Sequence, residues 1–129
     1  MLTSTNHQSD ECNADDDLEV VYYPDKAVTK EMADLPDRQR NQFLLDLEMM
    51  RKRLKPLCKV TQMHAIDRDV YELGINGRPA YRCIYYTGDH GKIVVLHATK
   101  KTTNGVDRQI ANVVEQRLKA WKGSMKRKG

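Results

Sequence analysis

The sequence predicts an α+β domain: an antiparallel sheet packed against an N-terminal helical hairpin and a C-terminal helix. Three observations lead there. Apolar residues recur at helical spacing around residues 28–54 and again from Ile110 to Trp121. Two β-prone runs, Val70–Ile75 and Ala80–Thr87, flank Asn76-Gly77-Arg78-Pro79, a strong turn signal. Ile93-Val94-Val95-Leu96 is the longest aliphatic run, too short to cross a membrane and suited to an interior strand. A chain of 129 residues is long enough for one core.

Residues 1–17 are polar and acidic, without periodicity, and are expected to be disordered. They contain no Lys or Arg and no apolar stretch, so no secretory signal is expected. Leu18–Tyr23 is a short β-prone run that Pro24 ends. Asp25 is the expected N-cap of a first short helix carrying Val28, Met32 and Leu35. Pro36 breaks that helix and begins a second, whose stripe is Phe43, Leu47, Met50 and Leu54 and which Pro56 closes. The short junction folds the two into a hairpin. Leu57–Asp67 reads as a connector.

The two hairpin strands follow, then the turn Gly88-Asp89-His90-Gly91 and a strand Lys92–Ala98, the most apolar and therefore expected to be central. Thr102–Gly105 is a loop in which Thr103 or Asn104 can cap the last helix. That helix buries Ile110, Val113, Val114, Leu118 and Trp121, and Gly123 is expected to end it. The predicted order is β-α-α-β-β-β-α, with one domain over residues 18–122 and a basic flexible tail at 123–129.

The formal charge is +4, unevenly spread. Residues 1–17 hold five acids and no bases, while the remainder sets 22 basic residues against 13 acidic ones. After Glu115 every charged residue is basic. A basic body suits a polyanion, because each phosphate contact releases condensed counterions. The cysteines, Cys12, Cys58 and Cys83, form no CxxC pair and match no zinc pattern, which points to a reduced, cytoplasmic setting. No phosphate-binding loop, HExxH or GxSxG motif is present, and neither metal nor cofactor is expected.

The chemistry-bearing residues gather in the second half. Arg82 lies mid-strand, where a guanidinium can grip phosphate with two hydrogen bonds or pair with Glu72 on the neighbouring strand. Strand alternation puts Arg82, Ile84 and Tyr86 on one face and Tyr81, Cys83 and Tyr85 on the other. His97, at the strand end, is able to pass protons near neutral pH, and Lys100 and Lys101 can neutralise charge on a reacting phosphate. Six tyrosines against one phenylalanine offer stacking surfaces for bases if a sheet face is open.

The runs Val70-Tyr71-Glu72-Leu73, Tyr81-Arg82-Cys83-Ile84-Tyr85-Tyr86 and Lys92 through Thr102 resemble, in order and spacing, the RelE/ParE toxin superfamily, nearest to its HigB-like, phage-derived host-killer branch. The resemblance spans roughly residues 18–121. It implies a type II toxin that cleaves messenger RNA on the ribosome without metal, the ribose 2′-hydroxyl attacking the adjacent phosphate. A cognate antitoxin protein would cover the cationic face. Arg82 would hold the scissile phosphate, Lys100 and Lys101 would stabilise charge, and His97 is the expected proton carrier. Arg78, Tyr86, Lys92, Arg117 and Lys119 are the further expected RNA contacts. Gly74 departs from the pattern, standing where the family carries Arg, and Ala98-Thr99 stands where an aromatic is common. Two other functions fit the same fold: a non-enzymatic inhibitor of a host protein, and a gyrase poison.

Overall fold

The sheet is organised around its longest strand. The computed structural model describes residues 17–101 and 107–128. In chain order the elements are β1 (Glu19–Tyr22), α1 (Asp25–Asp34), α2 (Asp37–Arg51), β2 (Lys59–Gln62), β3 (Val70–Ile75), β4 (Ala80–Tyr86), β5 (Lys92–Lys101) and α3 (Arg108–Lys128). The five strands lie in the order β1-β5-β4-β3-β2. The α+β class and the placement of helices around the sheet are as expected, with two corrections to the sheet. The connector contains a strand, β2, paired antiparallel with β3. The sheet is also mixed, because β1 runs parallel to β5. β5 is interior, but β4 occupies the middle.

Both faces of the sheet are covered. One carries Leu73, Cys83, Tyr85, Ile93, Val95 and Ala98, packed with Val28, Met32, Leu35, Phe43, Leu47 and Met50 of the α1–α2 segment. The opposite face carries Val70, Ile84, Tyr86, Val94 and Leu96 under Ile110, Val114, Leu118 and Trp121 of α3. The expected stripes are the buried ones, with two exceptions: α2 stops at Arg51 and leaves Leu54 56% exposed, and Val113 on the last helix is only half-buried. Burial of these aliphatic groups is the main stabilising contribution.

Local chemistry explains the element ends. Pro24 and Pro36 precede α1 and α2 directly, so Asp25 is the first helical residue rather than the cap. Thr103 and Asn104 lie outside the described residues. α3 is capped by Asp107, whose Oδ1 accepts from Ile110 N at 3.1 Å. The expected stop at Gly123 is not observed, since the helix continues to Lys128. The acidic segment 1–16 lies outside the described residues. Asp17, at its boundary, pairs with Arg51 at 3.1 Å, and Leu18 N donates to Arg51 O, tying β1 to the end of α2. No described helix is long and apolar enough to cross a membrane.

A buried carboxylate fixes the path from α2 into β2. Asp46 is fully buried, accepting from Leu57 N at 3.1 Å, Cys58 N at 2.8 Å and Gln42 Nε2 at 3.0 Å. These donors satisfy its oxygens where water is absent.

Candidate active site

The register of β3, β4 and β5 decides which cations meet. Arg82 stands opposite Gly74 on β3 and Thr99 on β5. Tyr81 stands opposite Lys100, and Ala80 opposite Lys101. Directly opposed residues share a face. Arg82, Thr99 and Lys101 therefore lie on one face, with Glu72 and Gly74, while Lys100 lies on the other with Tyr81. The two lysines, expected just past the strand end, belong to β5 itself, which runs three residues further than the sequence suggests.

Gly74 and Arg82 explain one another. A Cβ at Gly74 would lie 3.2 Å from Arg82 NH1 and 3.4 Å from its Cζ. The missing side chain is thus the space in which the guanidinium rests. Arg82 Nε is 3.4 Å from Glu72 Oε1, NH1 donates to Tyr81 O at 2.9 Å and to Ile75 O at 3.4 Å, and NH2 donates to Asn76 Oδ1 at 3.5 Å. Only the Tyr81 contact is short; the others are long and weak. The Arg82 side chain is 14% exposed and that of Glu72 15%. Burial pushes the Glu72 carboxyl above its ordinary range, and the cations Arg82 and Lys101 only partly offset this.

His97 has the same face as Ile84 and Arg82 by register, but its ring is taken by Glu31 and Arg117 rather than by this group. The register slips between Ile84 and Tyr85, so that His97 faces Ile84 and Val95 faces Tyr85. The His97 ring is buried, with Nδ1 2.9 Å from Glu31 Oε1 of α1. Arg117 of α3 donates to the same oxygen at 3.0 Å, pairs with Glu31 Oε2 at 2.8 Å and donates to Leu96 O at 2.8 Å. Ala98 N donates to Glu31 Oε1 at 3.2 Å. β1 pairs only with residues 92–95 of β5. Beyond it, the Glu31 carboxylate and the Arg117 guanidinium satisfy the strand's edge, joining helices from opposite faces. Burial opposes ionisation of Glu31, but hydrogen bonds from His97 and Arg117 outweigh it and hold the carboxyl down at about 2.

Of the other expected RNA contacts, Arg78 is exposed in the β3–β4 turn, and Lys119 is exposed on α3. Lys92 opens β5, nine residues from Lys101, and pairs with Glu19 at 3.8 Å, so the fold does not bring it to Arg82. Two expectations are corrected. Tyr86 is buried beneath α3, with Lys122 Nζ 5.5 Å from its ring centroid, because the sheet face on which it might have stacked a base is covered. Arg117 is committed to Glu31 and a main-chain carbonyl inside the fold. Burial pushes the Cys83 thiol far up and the Cys58 thiol to about 12, which makes both poor nucleophiles.

Glu31 and Asp46 escape a reading of sequence alone. Each sits beside an apolar stripe, and that position is the only local sign of burial. Their partners lie up to 86 residues away.

The family model described as Phage derived protein Gp49-like (DUF891) matches residues 30–119. The chain belongs to this family. The match runs from the second half of α1 into α3, and so contains Glu72, Arg82, His97 and both lysines. Membership agrees with the toxin-type superfamily that the strand motifs of this Gp49-like chain resemble. A search of curated proteins finds no match to it.

Proposed function

We propose that this Gp49-like protein is the toxin of a toxin–antitoxin pair, a HigB-like member of the RelE group that cleaves translated messenger RNA. The observation that carries the reading is the shared face of Glu72, Arg82 and Lys101 on three adjacent strands. A phosphate can replace the Glu72 carboxylate at Arg82, since the Nε contact is long and the planar fork favours two phosphate oxygens. Lys101 then lies on the side where negative charge grows as the 2′-hydroxyl attacks phosphorus. Attack forms a 2′,3′-cyclic phosphate and expels the 5′-oxygen of the next nucleotide.

The proton of the 2′-hydroxyl needs an acceptor. His97 is held by Glu31 and Arg117, so Glu72 is the better-placed base. Its carboxyl, raised by burial, accepts a proton more readily than an ordinary surface acid. The partners in this reading are mRNA on the ribosome and an antitoxin that covers the cationic strand ends.

The test is a purified translation reaction with message ends mapped by primer extension. Wild-type protein should cut within translated codons, and Arg82→Ala should abolish the cuts. Intact messages with wild-type protein would refute the reading.

A second reading is favoured by one observation, the low exposure of Arg82 and its existing pairing with Glu72. In that reading the chain binds and inhibits a host protein without cutting RNA. Growth arrest that survives Arg82→Ala, with messages intact, would support it.

A further inference from the structure

At the β3–β4 hairpin end, on the α2 side of the sheet and so across it from the Arg82 side chain, lies a cleft that the expected RNA contacts do not use. It has a volume of about 270 Å³ and is lined by Arg38, Gln39 and Gln42 of α2 and by Ile75 and Asn76 at the end of β3. Three carboxamides, one cation and one aliphatic surface converge there. Asn76 joins the cleft to the candidate site, since its Oδ1 accepts from Arg82 NH2 at 3.5 Å.

The orientation of Gln42 is fixed from below. Its Nε2 donates to Asp46 Oδ1 at 3.0 Å, and the buried Asp46 also accepts from two main-chain amides. A carboxylate in that role only accepts, so the amide nitrogen faces Asp46 and the Gln42 carbonyl oxygen is left for the cleft. Gln39 needs no such service to the fold and keeps both amide groups. Arg38 is exposed at the rim.

We propose that this cleft receives one unpaired nucleobase of the RNA whose backbone is held at Arg82. The inference rests on the RNA-cleaving reading and adds base recognition to it. Carboxamides supply the donors and acceptors that read a base edge, as Asn and Gln do in nucleic-acid grooves. Ile75 gives the ring an apolar contact, and Arg38 meets the adjoining phosphate. A single-stranded substrate fits, because only unpaired bases can be turned out into such a site. The bound base would also hold the scissile phosphate in register with Arg82.

The test is fluorescence anisotropy with a labelled single-stranded pentanucleotide RNA and five versions, each with one abasic nucleotide. Removing one base leaves the phosphates unchanged. Wild-type protein should lose about tenfold in affinity for one abasic position and little for the others. Gln39→Ala, at a half-buried position without a structural hydrogen bond, should bind the parent RNA about tenfold more weakly and no longer distinguish that abasic version, with a nearly unchanged melting temperature. Equal binding of all six RNAs by wild-type protein would overturn the cleft and leave the RNA reading standing. Persistence of the abasic loss in Gln39→Ala would also overturn the cleft, since the base would then be read elsewhere. No binding of the parent RNA would overturn the cleft as a base site of the isolated protein, while the translation reaction decides the RNA-cleaving reading separately.

Discussion

Replacing Glu31 by Gln tests the joint that holds α1, β5 and α3 together. In the folded protein the carboxylate meets His97, Arg117 and the amide of Ala98. Its pKa falls from the ordinary 4.5 to about 2, which corresponds to at most roughly 3 kcal/mol of stability. The Glu31 side chain is 22% exposed, so about 2 kcal/mol is the better expectation. The sign follows from the direction. A lowered carboxylate pKa contributes fully above the unfolded value of 4.5 and is lost as pH falls toward 2. Urea unfolding at pH 7 should show Glu31→Gln less stable by about 2 kcal/mol, partly because Arg117 loses its counter-charge. Wild-type stability should decline between pH 4.5 and 2 more steeply than that of the variant. Parallel pH profiles, or a loss below about 0.5 kcal/mol at pH 7, would refute this account of the joint.

Other outcomes follow from particular contacts. Asp46→Ala leaves the amides of Leu57 and Cys58 without their acceptor and should cost about 2–4 kcal/mol, measured by chemical denaturation. A Cβ at Gly88 would overlap the Tyr86 ring, so Gly88→Ala should cost about 1–3 kcal/mol in the same assay. Glu72→Gln should slow message cutting while RNA binding is kept or tightened, and wild-type cutting should fall as pH drops through the raised Glu72 pKa; a variant cutting at the wild-type rate would remove Glu72 as the base. Neutralising Lys101 should lower the slope of log affinity against log salt by about 0.7, whereas neutralising Lys100, on the other face, should change it little.

Much of the fold is legible because its signals are local. The α1, α2 and α3 stripes repeat at helical spacing, and Asn76–Pro79 marks the β3–β4 hairpin. β2 is missed because Lys59–Gln62 has no buried alternation; three of its four residues are exposed. Nothing local announces that β1 joins β5 in parallel, since the pairing spans more than 70 residues. The candidate site is legible in its residue types but not in its arrangement. Arg82 and Lys101 share a face, as a cationic cluster requires, whereas Lys100 points away and His97 is drawn to Glu31. The Glu31–Arg117 contact is a product of tertiary packing, and no motif encodes it. Gly74, which reads as a lost cation, is the platform for Arg82.

The register slip at Ile84/Tyr85 acts as a phase shift within β5. Upstream of it, the strand's even-numbered residues Val94 and Leu96 lie under α3; beyond it, Thr99 and Lys101 take that side. Pairing the strands straight through from Tyr85–Val95, with no residue removed, would put Ala98 opposite Arg82 and Lys100 opposite Ala80, exchanging the two lysines between the faces. Two adjacent lysines therefore make the cationic end tolerant of a one-residue change of register, whereas a single lysine would tie the site to one frame.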